Sequence, residues 1–103
     1  MFVHAVYFSL RTDLQPAERE QFIAGLHAIR AIETVHAGYI GVPAATDRPV
    51  IARDYSYALT LVFADQAAHD VYQDHPVHDR FRAECAHLWT GVRIYDAFGD
   101  DST

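Results

Sequence analysis

The sequence predicts an α+β domain in the order β-α-β-β-α-β, a four-stranded antiparallel sheet with its helices on one face. Three observations carry that expectation. Four stretches, Phe2–Leu10, Thr34–Val42, Tyr55–Phe63 and Val92–Phe98, have strand character. Two helical patterns lie between them, one after the first strand and one before the last. The chain has 103 residues, half of them hydrophobic, which suffices for one domain over residues 1–103 with a real core.

In the first strand, Phe2, His4, Val6, Phe8 and Leu10 share one face and Val3, Ala5, Tyr7 and Ser9 the other. Both faces are largely apolar, as in a strand covered on both sides. Arg11–Gln15 is a polar loop, and Pro16 opens a helix with Glu18 and Glu20 near its positive end. Phe22, Ile23, Leu26 and Ile29 form its apolar stripe, and the pattern runs to about Ile32. Gly38 and Gly41 mark bending or close approach in the second strand. Pro43–Asp54 reads as a long connection. Asp65 suits the N-cap of the next helix, whose stripe is read as Ala68, Val71 and Tyr72. His75 precedes proline and is driven out of the α region, so that helix stops at Asp74. Pro76 then opens a second piece expected to reach Trp89, with Gly91 ending it. His78 shares a face with Phe81, Cys85 and Trp89, at spacings of three, seven and eleven. The tail Gly99–Thr103 is polar and expected to fray. This order is the ferredoxin-like arrangement. Its second sheet face, carrying Val3, Ala5 and Tyr7, would be bare in a monomer, so a homodimer joined through that open face is expected.

The formal charge is −6, from 14 acidic and 8 basic residues without a basic cluster, which disfavours nucleic acid and anionic membranes as partners. One cysteine excludes an internal disulfide. No signal-peptide pattern and no long apolar run is present, so a cytoplasmic protein is expected.

Polar tips on inward faces are the candidate site. His78 lies in a first helical turn, where the helix dipole and burial both favour a neutral imidazole, the form a general base needs. Tyr72, across the break, is placed to orient an oxygen through its hydroxyl. The plainer alternative is that the pair satisfies itself or the kinked backbone. His4 reads as a pocket residue, or more plainly as a core histidine bonded to a backbone carbonyl. His75 reads as structural. His27, His36, His69 and His87 read as solvated, and Cys85 as a small core residue. Three histidines, His4, His75 and His78, lack a carboxylate or cysteine at ligand spacing, so neither metal nor cofactor is expected.

The segments Val3-His4-Ala5-Val6-Tyr7-Phe8, Tyr72-Gln73-Asp74-His75-Pro76-Val77-His78 and Ile94-Tyr95-Asp96 resemble the stress-responsive dimeric α/β-barrel (Dabb) family. The resemblance covers essentially the whole chain, and Tyr-x-x-His-Pro-x-His is its most specific part. It implies a dimeric α/β barrel. It also extends distantly to a plant polyketide cyclase, olivetolic acid cyclase, which closes its substrate by aldol condensation. Matching by position implies that His78 and Tyr72 are catalytic and that His4 and Trp89 line the pocket. The chain departs where the cyclase has a further pocket tyrosine, since Leu26 stands there.

The expected site therefore has His78 and Tyr72 as catalytic residues, with His4, Val6, Phe8, Phe22, Leu26, Trp89 and Ile94 binding a small hydrophobic or aromatic ligand. Three functions follow: cofactor-free cyclase or proton-transfer chemistry with His78 as base, non-catalytic ligand binding by a stress-associated homodimer, or cofactor-free monooxygenation, the last by fold analogy.

Overall fold

The computed structural model describes residues 1–99. Its elements are β1 (Phe2–Leu10), α1 (Pro16–Arg30), β2 (Ala37–Gly41), β3 (Tyr57–Phe63), α2 (Gln66–Gln73), α3 (Pro76–Cys85), a 3-10 turn (Ala86–Leu88) and β4 (Trp89–Phe98). The strands form one antiparallel sheet in the order β2-β3-β1-β4, the ferredoxin-like topology. The polar tail beyond Gly99 lies outside the described residues. Among those residues no helix is long and apolar enough to cross a membrane.

Alternation in β1 sorts its side chains as expected. Phe2, His4, Val6, Phe8 and Leu10 are buried, while Val3, Ala5, Tyr7 and Ser9 are half-buried on the opposite face. The core fills the space between the inward face and the helices, with Phe22, Leu26, Leu59, Leu61, Phe63, Tyr72 and Leu88 among its fully enclosed members. The Gln15 backbone N–H donates to the Glu18 carboxylate at 2.9 Å, which secures the start of α1. At α2, the Asp65 carboxylate accepts from the Ala68 N–H at 2.9 Å, the expected N-cap.

The helix break stands where proline put it. His75 has φ −69° and ψ 139°, and Pro76 is the first residue of α3. The Val77 N–H donates to His75 Nδ1 at 3.1 Å, so the imidazole itself caps the new helix. His75 Nε2 faces the Glu33 carboxylate at 3.3 Å, which ties the break to the end of the α1 loop.

Several expectations need correction. Helix α1 ends two residues early, at Arg30, and β2 and β3 are shorter than their sequence patterns. Helix α3 ends at Cys85 instead of continuing to Trp89. The Leu88 carbonyl accepts the Arg11 N–H at 2.9 Å, which draws the chain onto β1 and starts β4 at Trp89. Gly91 is therefore a strand residue. The inward stripe of α2 includes His69 and Tyr72, while Val71 is turned outward. His69, read as solvated, is buried against the rings of Phe2 and Phe63, with centroids at 4.5 and 5.5 Å. A two-turn helix gives too few residues to fix the phase of its apolar face.

Candidate functional site

Between the sheet and the α2–α3 break lies a cavity of about 340 Å³. Its walls include His4, Val6 and Phe8 of β1, Tyr72 of α2, His78 and Phe81 of α3, and Trp89, Val92 and Ile94 of β4. The helices leave the inward side of β4 uncovered: Val92 and Ile94 are 42% and 52% exposed although both line the cavity. The opening is thus on the β4 side.

The structure brings together seven of the nine residues expected from sequence: His78, Tyr72, His4, Val6, Phe8, Trp89 and Ile94. Phe22 and Leu26 are not among the lining residues. Both are fully enclosed in the core, with the Phe22 ring packed behind Phe8, Phe81 and Trp89. Their place on the stripe of α1 faces the middle of the sheet, which fills before the cavity begins. Gln73 and Arg82 join the lining and were not anticipated. Helical spacing contained the signal for Arg82, four residues after His78 on the same helix.

Trp89 reaches the cavity by a different route from the one its spacing to His78 suggests. Along β1 and β4 the pairs run from Phe2 with Phe98 to Ser9 with Gly91, and then Leu10 pairs with Trp89, skipping Thr90. This β-bulge returns Trp89 to the helix side, where it stacks on Phe81 at 5.6 Å.

Tyr72 and His78 meet across the helix break with ring centroids 4.9 Å apart and planes at 68°. His78 is half-buried, and its Nδ1 is enclosed with no hydrogen-bond partner among the described residues. Burial lowers its pKa, the nearby Arg82 cation pushes the same way, and Asp79 opposes them more weakly. Burial also raises the Tyr72 phenol well above its ordinary value, so its hydroxyl keeps its proton. The geometry thus sets a neutral imidazole beside a protonated phenol inside an apolar wall.

His4 is bonded differently from the plain expectation. It pairs with the Asp96 carboxylate, opposite it on β4, at 2.5 Å from Nδ1 rather than with a backbone carbonyl. Burial lowers its pKa, and the Asp96 hydrogen bond offsets part of that. His75 is occupied by Val77 and Glu33, so it does not join His4 and His78. Cys85 is buried, and burial raises its thiol pKa, as for an inert core residue.

These features define a class of protein: a ferredoxin-like α+β chain with an apolar cavity beside a proline-broken helix. The chain belongs to the stress responsive A/B barrel domain (Dabb) family, whose profile matches residues 2–98. Among solved structures, a Dabb family protein with a ferredoxin-like fold from Mesorhizobium loti is 26% identical, covers 95% of each chain and has a TM-score of 0.76. A dimeric ferredoxin-like protein of unknown function from Thermobifida fusca is 23% identical, with 93% of this chain and 88% of that chain covered and a TM-score of 0.74. A hydroxynitrile lyase from Passiflora edulis shares the fold at 18% identity, covering 97% of this chain and 94% of that chain, with a TM-score of 0.79. No curated protein matches the chain in sequence.

Proposed function

We propose that the chain works as a homodimer that takes a small, mostly apolar molecule bearing a carbonyl or hydroxyl group into the cavity and moves a proton on it. His78 is the general base and Tyr72 the hydrogen-bond donor to the ligand oxygen. The observation that carries this reading is the enclosed, unpartnered Nδ1 of His78. A histidine kept for structure has its ring nitrogens occupied, as His75 does. His78 instead keeps one ring nitrogen unmet while its side chain lines a cavity whose other walls are largely apolar. A volume near 340 Å³ suits a single aromatic ring with short substituents. His4, Val6, Phe8, Trp89 and Ile94 hold that ring, while Phe22 and Leu26 support the wall from behind. The match of His78 and Tyr72 to a polyketide cyclase supports proton transfer, and the hydroxynitrile lyase indicates that this fold can host an enzyme.

The homodimer reading rests on the half-buried outer face of β1, with Ala5 opposite Tyr95 and Thr60, and on similar structures described as dimeric. Non-catalytic binding is the second reading, supported by the same apolar cavity.

The test begins with a thermal-shift panel of aryl ketones and phenols. An aryl ketone that raises the melting temperature is then followed by NMR in D2O for exchange at the carbon beside its carbonyl. Wild-type protein should accelerate deuteration, and His78→Ala should lower that rate by about 10²- to 10⁴-fold. Tyr72→Phe should have a smaller effect. Binding with exchange at the buffer rate would replace proton transfer by the binding reading, and oxygen consumption would point to the monooxygenase.

A further inference from the structure

Pairing of β1 with β4 assembles a second group of polar side chains beside the cavity. His4 faces Asp96 across the ladder, and His69 of α2 packs over His4 with ring centroids 4.9 Å apart. His4, His69 and Asp96 each present one ligand atom, and these atoms all lie within 4.8 Å of one another. The two histidines are 3% and 9% exposed, whereas the Asp96 side chain is 41% exposed and links the group to solvent.

The hydrogen bonds of His69 explain its place there. Its Nδ1 faces the Asp70 carboxylate at 3.1 Å, and a carboxylate at that nitrogen holds the ring proton on Nδ1. Nε2 is then an acceptor, yet it is enclosed without a hydrogen-bond partner among the described residues. Phe2 and Phe63 pack around the ring and carry no donor, and the neighbouring Tyr72 makes no hydrogen bond to Nε2. A buried acceptor left unmet is destabilising, so a partner for it is favoured. A carboxylate behind one imidazole nitrogen, with the other directed at further donors, is how proteins orient a histidine toward a metal ion.

We infer that His4, His69 and Asp96 form a binding site for a divalent transition-metal ion of the zinc type. Two imidazoles and one carboxylate suit zinc, cobalt or ferrous ions, whereas magnesium and calcium require more oxygen ligands. At metal–ligand distances of about 2.0–2.2 Å, the donor atoms of a tetrahedral site stand about 3.3–3.6 Å apart. The His4–Asp96 contact at 2.5 Å must therefore open as the ion enters. Asp96 can make that adjustment because its side chain is the most exposed of the three. The ion takes the place of the proton between His4 and Asp96, and that proton leaves to solvent. The remaining coordination position falls to water or a ligand oxygen. This site is additional to the role proposed for His78, and its test involves no substrate.

The experiment uses the full chain, treated with EDTA, dialysed and titrated with cobalt chloride. Stoichiometric binding per chain with the visible absorption of four- or five-coordinate cobalt is expected, and added zinc chloride should bleach it. His69→Phe preserves the aromatic packing and should weaken cobalt binding at least about tenfold, as should Asp96→Asn. His78→Ala should leave the spectrum unchanged. Cobalt that stays in its hydrated octahedral form would overturn the inference, as would binding that survives both His69→Phe and Asp96→Asn, because the exposed histidines would then be the ligands. Asp96 is largely solvent-facing, so Asp96→Asn provides a test even where His69→Phe fails to fold.

Discussion

Gly25 is where α1 approaches α3, and its substitution tests how tightly the cavity wall is built. A Cβ there would stand 2.5 Å from Phe81 Cδ1, 2.9 Å from Cε1 and 3.5 Å from Cys85 Sγ. Carbon atoms pack at about 3.5–4.0 Å, so Gly25→Ala requires the Phe81 ring to retreat by about 1 Å. The ring has little room to do so. It is 5% exposed and held by Phe8, Phe22 and Trp89 at 6.1, 6.0 and 5.6 Å between centroids. Alanine gains about 1 kcal/mol of helix propensity over glycine. Overpacking costs about 1–3 kcal/mol, and a rigid ring among rigid rings belongs in the upper part of that range. The net expectation is a loss of about 1 kcal/mol, or a fall of about 4–8 °C in melting temperature for a chain of this size. Urea unfolding at fixed protein concentration reads the change, and the slope should not alter. Gly41→Ala is the control, since its Cβ would meet nothing within 4 Å, and it should be neutral or slightly stabilising. Phe81→Leu should cost less in the Gly25→Ala background than alone, with a coupling of at least about 0.5 kcal/mol. Gly25→Ala at or above parental stability, with no coupling to Phe81, would refute this account of the helix contact.

Other substitutions probe the rest of the molecule. Ala5→Glu should convert a homodimer to monomers in sedimentation, because it buries an unpaired charge on the outer sheet face. Removing the imidazole cap by His75→Ala should cost about 1 kcal/mol in urea unfolding and leave the sheet intact by circular dichroism. Burial depresses the pKa of both His4 and His78 in the folded state, so the unfolded chain binds their protons more readily. Stability should therefore hold above about pH 6.5, the unfolded value, and fall as acid is added through the folded pKa of each group. Urea midpoints that stay flat from pH 7 to pH 5 would contradict that sign.

Local rules made much of this molecule legible in its sequence. Proline chemistry located the helix break, since His75-Pro76 admits few backbone alternatives. The Asp65 cap and the alternation of β1 are equally local signals. What escaped sequence reasoning depends on register between distant segments. His4 and Asp96 lie near opposite ends of the chain, and no hairpin turn fixes which residue of β4 faces which residue of β1. A carboxylate beside His4 was therefore invisible, and with it the donor set shared with His69. His69 itself was hidden by polarity: an imidazole looks like a surface group until its ring is seen among Phe2 and Phe63. Phe22 and Leu26 were placed on the correct face of α1, but a helical stripe cannot say where packing ends and a cavity begins.

The skipped residue at Thr90 makes the strand a parity device. From Gly91 to Phe98, odd-numbered positions of β4 face outward and even-numbered ones face the helices, yet odd-numbered Trp89 faces inward. Deleting Thr90 would restore uninterrupted alternation, with the tryptophan taking the place opposite Leu10 that regular pairing assigns. Were Thr90 instead drawn into regular pairing opposite Leu10, the indole would swing to the outer face. Keeping one residue out of the ladder thus decides whether the indole belongs to the cavity or to the opposite surface, without altering any side chain's identity.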